Sequence, residues 1–116
     1  MLDYKELNVW QKSFDLVIDI YKLIKKLPVE EKFALIDQAK RSSISIPSNI
    51  AEGHGRYSTK EYIRFLYIAL GSSSELETQL LIINKVYSLD TAKALDDLLR
   101  VKKMLNKLIS SLKTKL

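Results

Sequence analysis

The chain contains no cysteine in its 116 residues. That excludes disulfides, thiolate nucleophiles and cysteine-ligated metals together, and it fits a reducing compartment. Turn formers are scarce as well, with three glycines and two prolines, while 47% of the residues are hydrophobic. A chain with few places to turn and much to bury favours long helices. Long apolar runs are missing: the longest uncharged stretches, Ser42–Ala51 and Phe65–Ser74, are ten residues each and contain serines. Neither suits a membrane span or a secretory signal, so a cytoplasmic protein without membrane contact is expected. Histidine occurs once, at position 54, and no acid follows Asp97.

The last absence shapes the charge. Of the net +5, the excess is +1 over residues 1–27, zero over 28–57, zero over 58–87 and +4 over 88–116. Such asymmetry makes a polyanion a reasonable partner. The length allows a single core, and one domain over 1–116 is expected.

Four stretches repeat apolar residues at helical spacing. Leu7, Trp10, Phe14, Val17, Tyr21 and Ile24 form the first seam, in a helix predicted over about 5–27 that Pro28 ends. Ile36, Ala39, Ser43, Ile46, Pro47 and Ile50 form the second, predicted over about 30–53. There Glu30 and Glu31 suit a helix start, and the pattern crosses Pro47 as a kinked but single helix. Gly53 and Gly55 are expected to stop it. Ser58-Thr59-Lys60-Glu61 reads as a capping box that opens a third helix over about 59–87, with its seam at Tyr62, Leu66, Ala69, Ser73, Leu76, Leu80, Ile83 and Tyr87. Asp90 or Ser88 should cap a fourth over about 90–114, with Ala94, Leu98, Val101, Leu105, Leu108 and Leu112 inward. Short connections make neighbours antiparallel, which predicts an all-α, up-down-up-down four-helix bundle. Small residues at Ser42, Ser43 and Ser45 and at Gly71–Ser74 would let the second and third helices approach closely.

Opposite the second seam, Gln38, Arg41, Ser45, Asn49, Glu52 and Arg56 form a polar stripe. It is either a solvated face or a surface that another helix, another subunit or a ligand covers. Antiparallel pairing would bring Glu75 of the third helix within about a helical turn of Gln38 and Arg41. On the fourth helix Arg100, Lys103 and Lys107, with Lys93 upstream, form a cationic strip that is either solvated surface or a phosphate-contacting face.

The segments "QAKRSSISIPSNIAEGHGR" (38–56) and "GSSSELETQL" (71–80), with the opening "LNVWQKSFDLVIDIYKL" (7–23), resemble the signature segments of the proteins encoded in intervening sequences of 23S ribosomal RNA genes. The resemblance covers essentially the whole chain. It implies a small bacterial bundle that assembles as a homopentamer and has no established enzymatic activity. A related group serves as the accessory subunit of diversity-generating retroelements, contacting a reverse transcriptase and nucleic acid. The matching positions are Gln38, Arg41, Ser45, Ile46, Asn49, Ile50, Ala51, Glu52, Gly53, Gly55 and Arg56, then Gly71, Ser72, Glu75, Glu77 and Leu80.

Catalytic chemistry finds little support. His54, between two glycines, is best explained by the turn, and Glu52 lacks the spacing of a Glu-x-x-His metal pair. No base and orienting acid accompany the serines, and no phosphate-cradling glycine loop follows a strand. No cofactor, metal or small-molecule substrate is expected. The reading is a non-enzymatic homo-oligomer that binds RNA through its basic strip. The alternative is a protein-interaction scaffold, for example an accessory subunit to a reverse transcriptase, with no direct nucleic-acid role.

Overall fold

The computed structural model describes residues 3–116. Four helices carry the chain: α1 (Asn8–Ile24), α2 (Leu35–His54), α3 (Thr59–Tyr87) and α4 (Ala92–Lys113). Short 3-10 turns at Tyr4–Glu6 and Val29–Glu31 precede α1 and α2, and there is no strand among the described residues. Each helix packs on its sequence neighbours and α4 closes against α1, giving an all-α four-helix bundle of 46 × 22 × 20 Å. The 29 residues of α3 supply the long dimension, since a helix rises about 1.5 Å per residue. Cross-helix pairs confirm the antiparallel order. Asp19 meets Lys93, Lys40 lies over Tyr21 and Ser42 meets Gln79.

The predicted seams of α2, α3 and α4 point inward, with Ala39, Ile46, Ile50, Leu66, Leu76, Leu80, Leu98 and Leu105 fully buried. The seam of α1 does not. Val9, Ser13, Leu16, Ile20 and Leu23 face the core, and Leu27 beyond the helix joins them. Of the predicted set only Ile24 is buried, while Phe14 is 45% exposed and Tyr21 36%. Both rows advance by alternating threes and fours, so periodicity alone cannot rank them. Size decides. No aromatic residue lies among the buried ones, and the core is built from leucine, isoleucine, valine and alanine. A bundle only about two helix diameters across has little room for a ring pointing at its axis.

The α2–α3 pair is the tightest contact. A methyl group on Gly53 would stand 2.8 Å from the Phe65 Cβ and 3.0 Å from the Tyr62 ring, closer than packed carbons tolerate. Gly53 therefore serves close approach from inside the helix and does not stop it; α2 runs through to His54. At Gly71 an added methyl would meet nothing, so the small-residue argument fails at that position. Pro47 is buried within an unbroken α2.

Three ends differ from expectation. Glu30 and Glu31 belong to the 3-10 turn before α2, whose first-turn acid is Asp37. Glu31 instead accepts a hydrogen bond from the Tyr87 hydroxyl, tying the α1–α2 loop to the end of α3. Ser88 closes α3 in the left-handed region at φ 55°, a place usually given to glycine or asparagine, and so is no cap of α4. The N-cap position belongs to Thr91, whose side chain makes no cap bond; Asp90, one residue earlier, supplies its carboxylate to the Ala92 N–H at 3.0 Å. Only half of the capping box forms. Ser58 Oγ accepts the Glu61 N–H at 3.2 Å, while the Glu61 carboxylate turns to Arg64.

Candidate nucleic-acid interface

The polar stripe of α2 is two-natured. Its middle lies against α3: Ser45 Oγ is 2.7 Å from Ser72 Oγ, and the Asn49 amide donates to Ser45 O and Oγ at 2.8 and 2.9 Å. One turn away the Ser42 hydroxyl donates to Gln79 Oε1 at 2.6 Å. The two contacts link the backbones at the level where both helices carry small residues. The ends of the stripe are solvated ion pairs, Arg41 with Asp37 at 3.0 Å and Arg56 with Glu52 at 3.2 Å. Gln38, Arg41 and Glu75 do line one cleft with Ser45, Ser72 and Gln79, about 270 Å³ in volume. The spacing argument therefore brings Glu75 to its expected place, although Arg41 bonds within its own helix.

Gln79 was not singled out from the sequence. It is buried beside Leu76 and Leu80, and the available signal was an amide at a seam-flanking position, three residues beyond Leu76 and seven beyond Ser72. A buried amide needs a partner, and Ser42 supplies it.

The cationic strip divides into two parts. Lys93 is held by Asp97 at 2.8 Å and Asp19 at 3.3 Å, and these carboxylates raise its pKa above the usual lysine value, the Asp97 hydrogen bond contributing most. Arg100 pairs with Asp96 at 3.2 Å. Those two cations are largely offset by acids on α1 and α4, which corrects the picture of a uniform strip. Lys103 and Lys107 are exposed and, among the described residues, have no carboxylate partner. Lys102, outside the predicted strip, crosses to Glu77 at 2.9 Å and Ser74 at 3.3 Å. Lys113 stands 5.3 Å from the Tyr67 ring centre.

His54 ends α2 with its ring edge-on to Tyr62, 5.7 Å between centres, and no group of three metal-ligating side chains converges among the described residues. Among the described residues no helix is long and apolar enough to cross a membrane.

The profile of the 23S rRNA-intervening sequence proteins matches residues 5–109. The chain belongs to that family. A crystal structure from Bacteroides thetaiotaomicron VPI-5482, described as a protein of unknown function from the S23 ribosomal protein family, superposes with a TM-score of 0.80 at 29% identity. The match covers 87% of this chain and 97% of that one. No curated protein matches. The intervening-sequence family is of unknown function and is not a known enzyme family. In this member of it, two of the three segments that carry the resemblance, 38–56 and 71–80, form the α2–α3 contact with its hydroxyl and amide bonds, and the third lies on α1.

Proposed function

We propose that the chain is a non-enzymatic, self-associating bundle that binds RNA along the sugar-phosphate backbone, with the cytoplasm as its compartment. The observation that carries this reading is the second half of α4. From Leu98 to the last residue there are six cations and no acid, and only Arg100 and Lys102 are engaged by carboxylates. Free cations on a rigid helix suit phosphates, whose condensed counterions they release. Among the described residues there is no sheet to carry stacking aromatics and no clamp loop, so the contact is backbone-directed and insensitive to sequence.

Self-association has its own support. Trp10 stacks on Phe14 with centres 5.1 Å apart, and both line an apolar groove of about 330 Å³ with Val17, Ile44 and Pro47 on the α1–α2 side. On α3, Ile68, Leu81, Ile82 and Val86 are also exposed. Exposed apolar side chains on the α1–α2 side and along α3 suit head-to-tail contacts that close into a ring, and the family resemblance proposes five copies. Repetition around a ring would multiply weak phosphate contacts.

Anisotropy of a labelled RNA over a salt series tests the RNA reading. The slope of log K against log salt should be steep, about 0.7 to 0.9 per phosphate engaged. A flat response, or no binding, would reject it. Should RNA binding fail while native mass spectrometry still shows a discrete oligomer, the scaffold reading stands in its place, a role confined to protein contacts such as those of a reverse-transcriptase accessory subunit.

A further inference from the structure

We infer that the end of the bundle formed by the α2–α3 turn is a base-stacking platform that selects single-stranded over double-stranded RNA. The inference rests on the RNA reading above and gives it a substrate class. Tyr57, in the turn between His54 and Thr59, is wholly exposed. A turn needs short polar residues or glycine, and nothing in the fold accounts for a ring there. Phe65, two turns into α3, is covered by two guanidinium groups, Arg64 at 4.6 Å and Arg56 at 4.9 Å from its centre. Each arginine is held from the other side by a carboxylate, Glu61 and Glu52 respectively, so the planar groups are oriented before any ligand arrives. Tyr67 is 47% exposed with the Lys113 ammonium beside it.

Phe65 and Tyr67 thus carry adjoining cations, on opposite sides of α3 because residues two apart diverge by about 200°, and Tyr57 stands exposed next to Arg56 in the chain, at the end where the acid-free run of α4 finishes. An exposed aromatic face next to cations is the combination that holds unpaired nucleotides: bases stack on the rings and guanidinium planes while the ammonium groups take the phosphates. Paired bases are hidden in their own stack, so a duplex can use only the cations. The carboxylates at this end are engaged: Glu52 and Glu61 each bind an arginine, which leaves Lys60 and Lys113 without a carboxylate partner among the described residues. Phe33 at the opposite end is a natural contrast. It is also exposed and has the Lys32 ammonium 5.5 Å from its ring centre; what differs is that the acids Glu30 and Glu31 precede it closely and would repel a phosphate chain.

The test uses the full chain, a labelled oligouridylate and a labelled RNA duplex of equal length. The intact protein should bind the single strand more tightly. Tyr57→Ala should weaken single-strand binding about tenfold, leave duplex binding unchanged and keep the salt slope, because no phosphate contact is lost. Tyr57→Trp should retain binding, and its indole emission should be quenched by the bound strand. Phe33→Ala should change neither affinity. Equal effects of Tyr57→Ala on both RNAs, no effect on either, or a changed oligomer mass with unchanged RNA binding would overturn the platform. Binding of both RNAs by the intact chain with no response to Tyr57→Ala removes this inference alone; binding of neither removes the RNA reading beneath it.

Discussion

The two ends of the bundle hold similar numbers of cations and handle them differently. Around the α1–α2 and α3–α4 loops, Lys93 is matched by Asp19 and Asp97 and Arg41 by Asp37, with Glu30, Glu31 and Asp90 close by in sequence. Around the α2–α3 turn, Arg56 and Arg64 are matched by Glu52 and Glu61, but Lys60, Lys107 and Lys113 have no carboxylate partner among the described residues. Total charge is therefore a poor guide to where a polyanion would bind. What matters is the charge left after the fold has made its own pairs: Lys25, Lys26, Lys32 and Lys40 at the first end are also without a carboxylate partner among the described residues, but Glu30, Glu31 and Asp90 lie close to that end, whereas α4 carries no acid after Asp97 as it runs to the turn end.

The largest expected effect follows from this remainder. Changing Lys103, Lys107 and Lys113 together to glutamate should weaken RNA binding about a hundredfold and reduce the salt slope by about 2. Lys93→Glu, at the matched end, should weaken it less than about threefold, because the fold already offsets that charge. Equal losses from the two variants would erase the distinction between the ends. The helix content of each, by circular dichroism, should stay unchanged.

Backbone constraints also differ between the ends, and thermal unfolding reads them. Gly53→Ala at the turn end should destabilise the chain by about 2 kcal/mol, since the methyl would meet the Phe65 Cβ and Tyr62 and overpacking costs about 1–3 kcal/mol. Ser88→Gly at the other end should stabilise it by about 1 kcal/mol, because a left-handed φ strains a residue with a Cβ. Gly71→Ala, midway along α3 and facing open space, should stabilise by about 0.5–1 kcal/mol. A destabilised Gly71→Ala variant with lowered oligomer mass would mean that a second copy covers that position.

How much of this was legible in the sequence depends on whether the deciding partner was near or far. Leu66 to Ile83 could be placed because α3 offers a single strong seam, whereas α1 offers two, and only the narrow core selects the aliphatic one. The hydroxyl at Ser58 announced its own partner three residues on. Lys93 gave no hint of Asp19, which is 74 residues away, and Gln79 gave none of Ser42. Periodicity groups Gln38 to Glu52 along α2, but the helix ends at His54, before Arg56, and the half-burial at Ser45 and Asn49 depends on Ser72, on another helix. Local chemistry is written in the sequence in order; pairing across the bundle is not.

The smallest effect, and the one that separates the ends by direction, concerns pH. The Arg64 guanidinium, bonded to Glu61, holds that carboxyl below its ordinary value of 4.5, with Arg56 and Lys60 adding to the effect. A folded carboxylate so lowered contributes stability that is present above the ordinary value and is lost as pH falls through the folded one. At the opposite end the shifts run the other way. Lys93 is raised by Asp97 and Asp19, and Tyr87 is raised by its hydrogen bond to Glu31, so both contributions hold below the ordinary 10.5 and 10.0 and fade as pH rises. Burial also raises Tyr62 at the turn end, which makes alkali act on both ends and acid, among these groups, on one. Amide protection factors, exchange rates taken relative to the unfolded chain at each pH, should therefore fall first in the opening turn of α3, beside Ser58 and Glu61, as the pH drops below 4.5, before the loops near Lys93 respond. Glu61→Gln should abolish that early response while leaving the exchange of the core amides of α3 as it was.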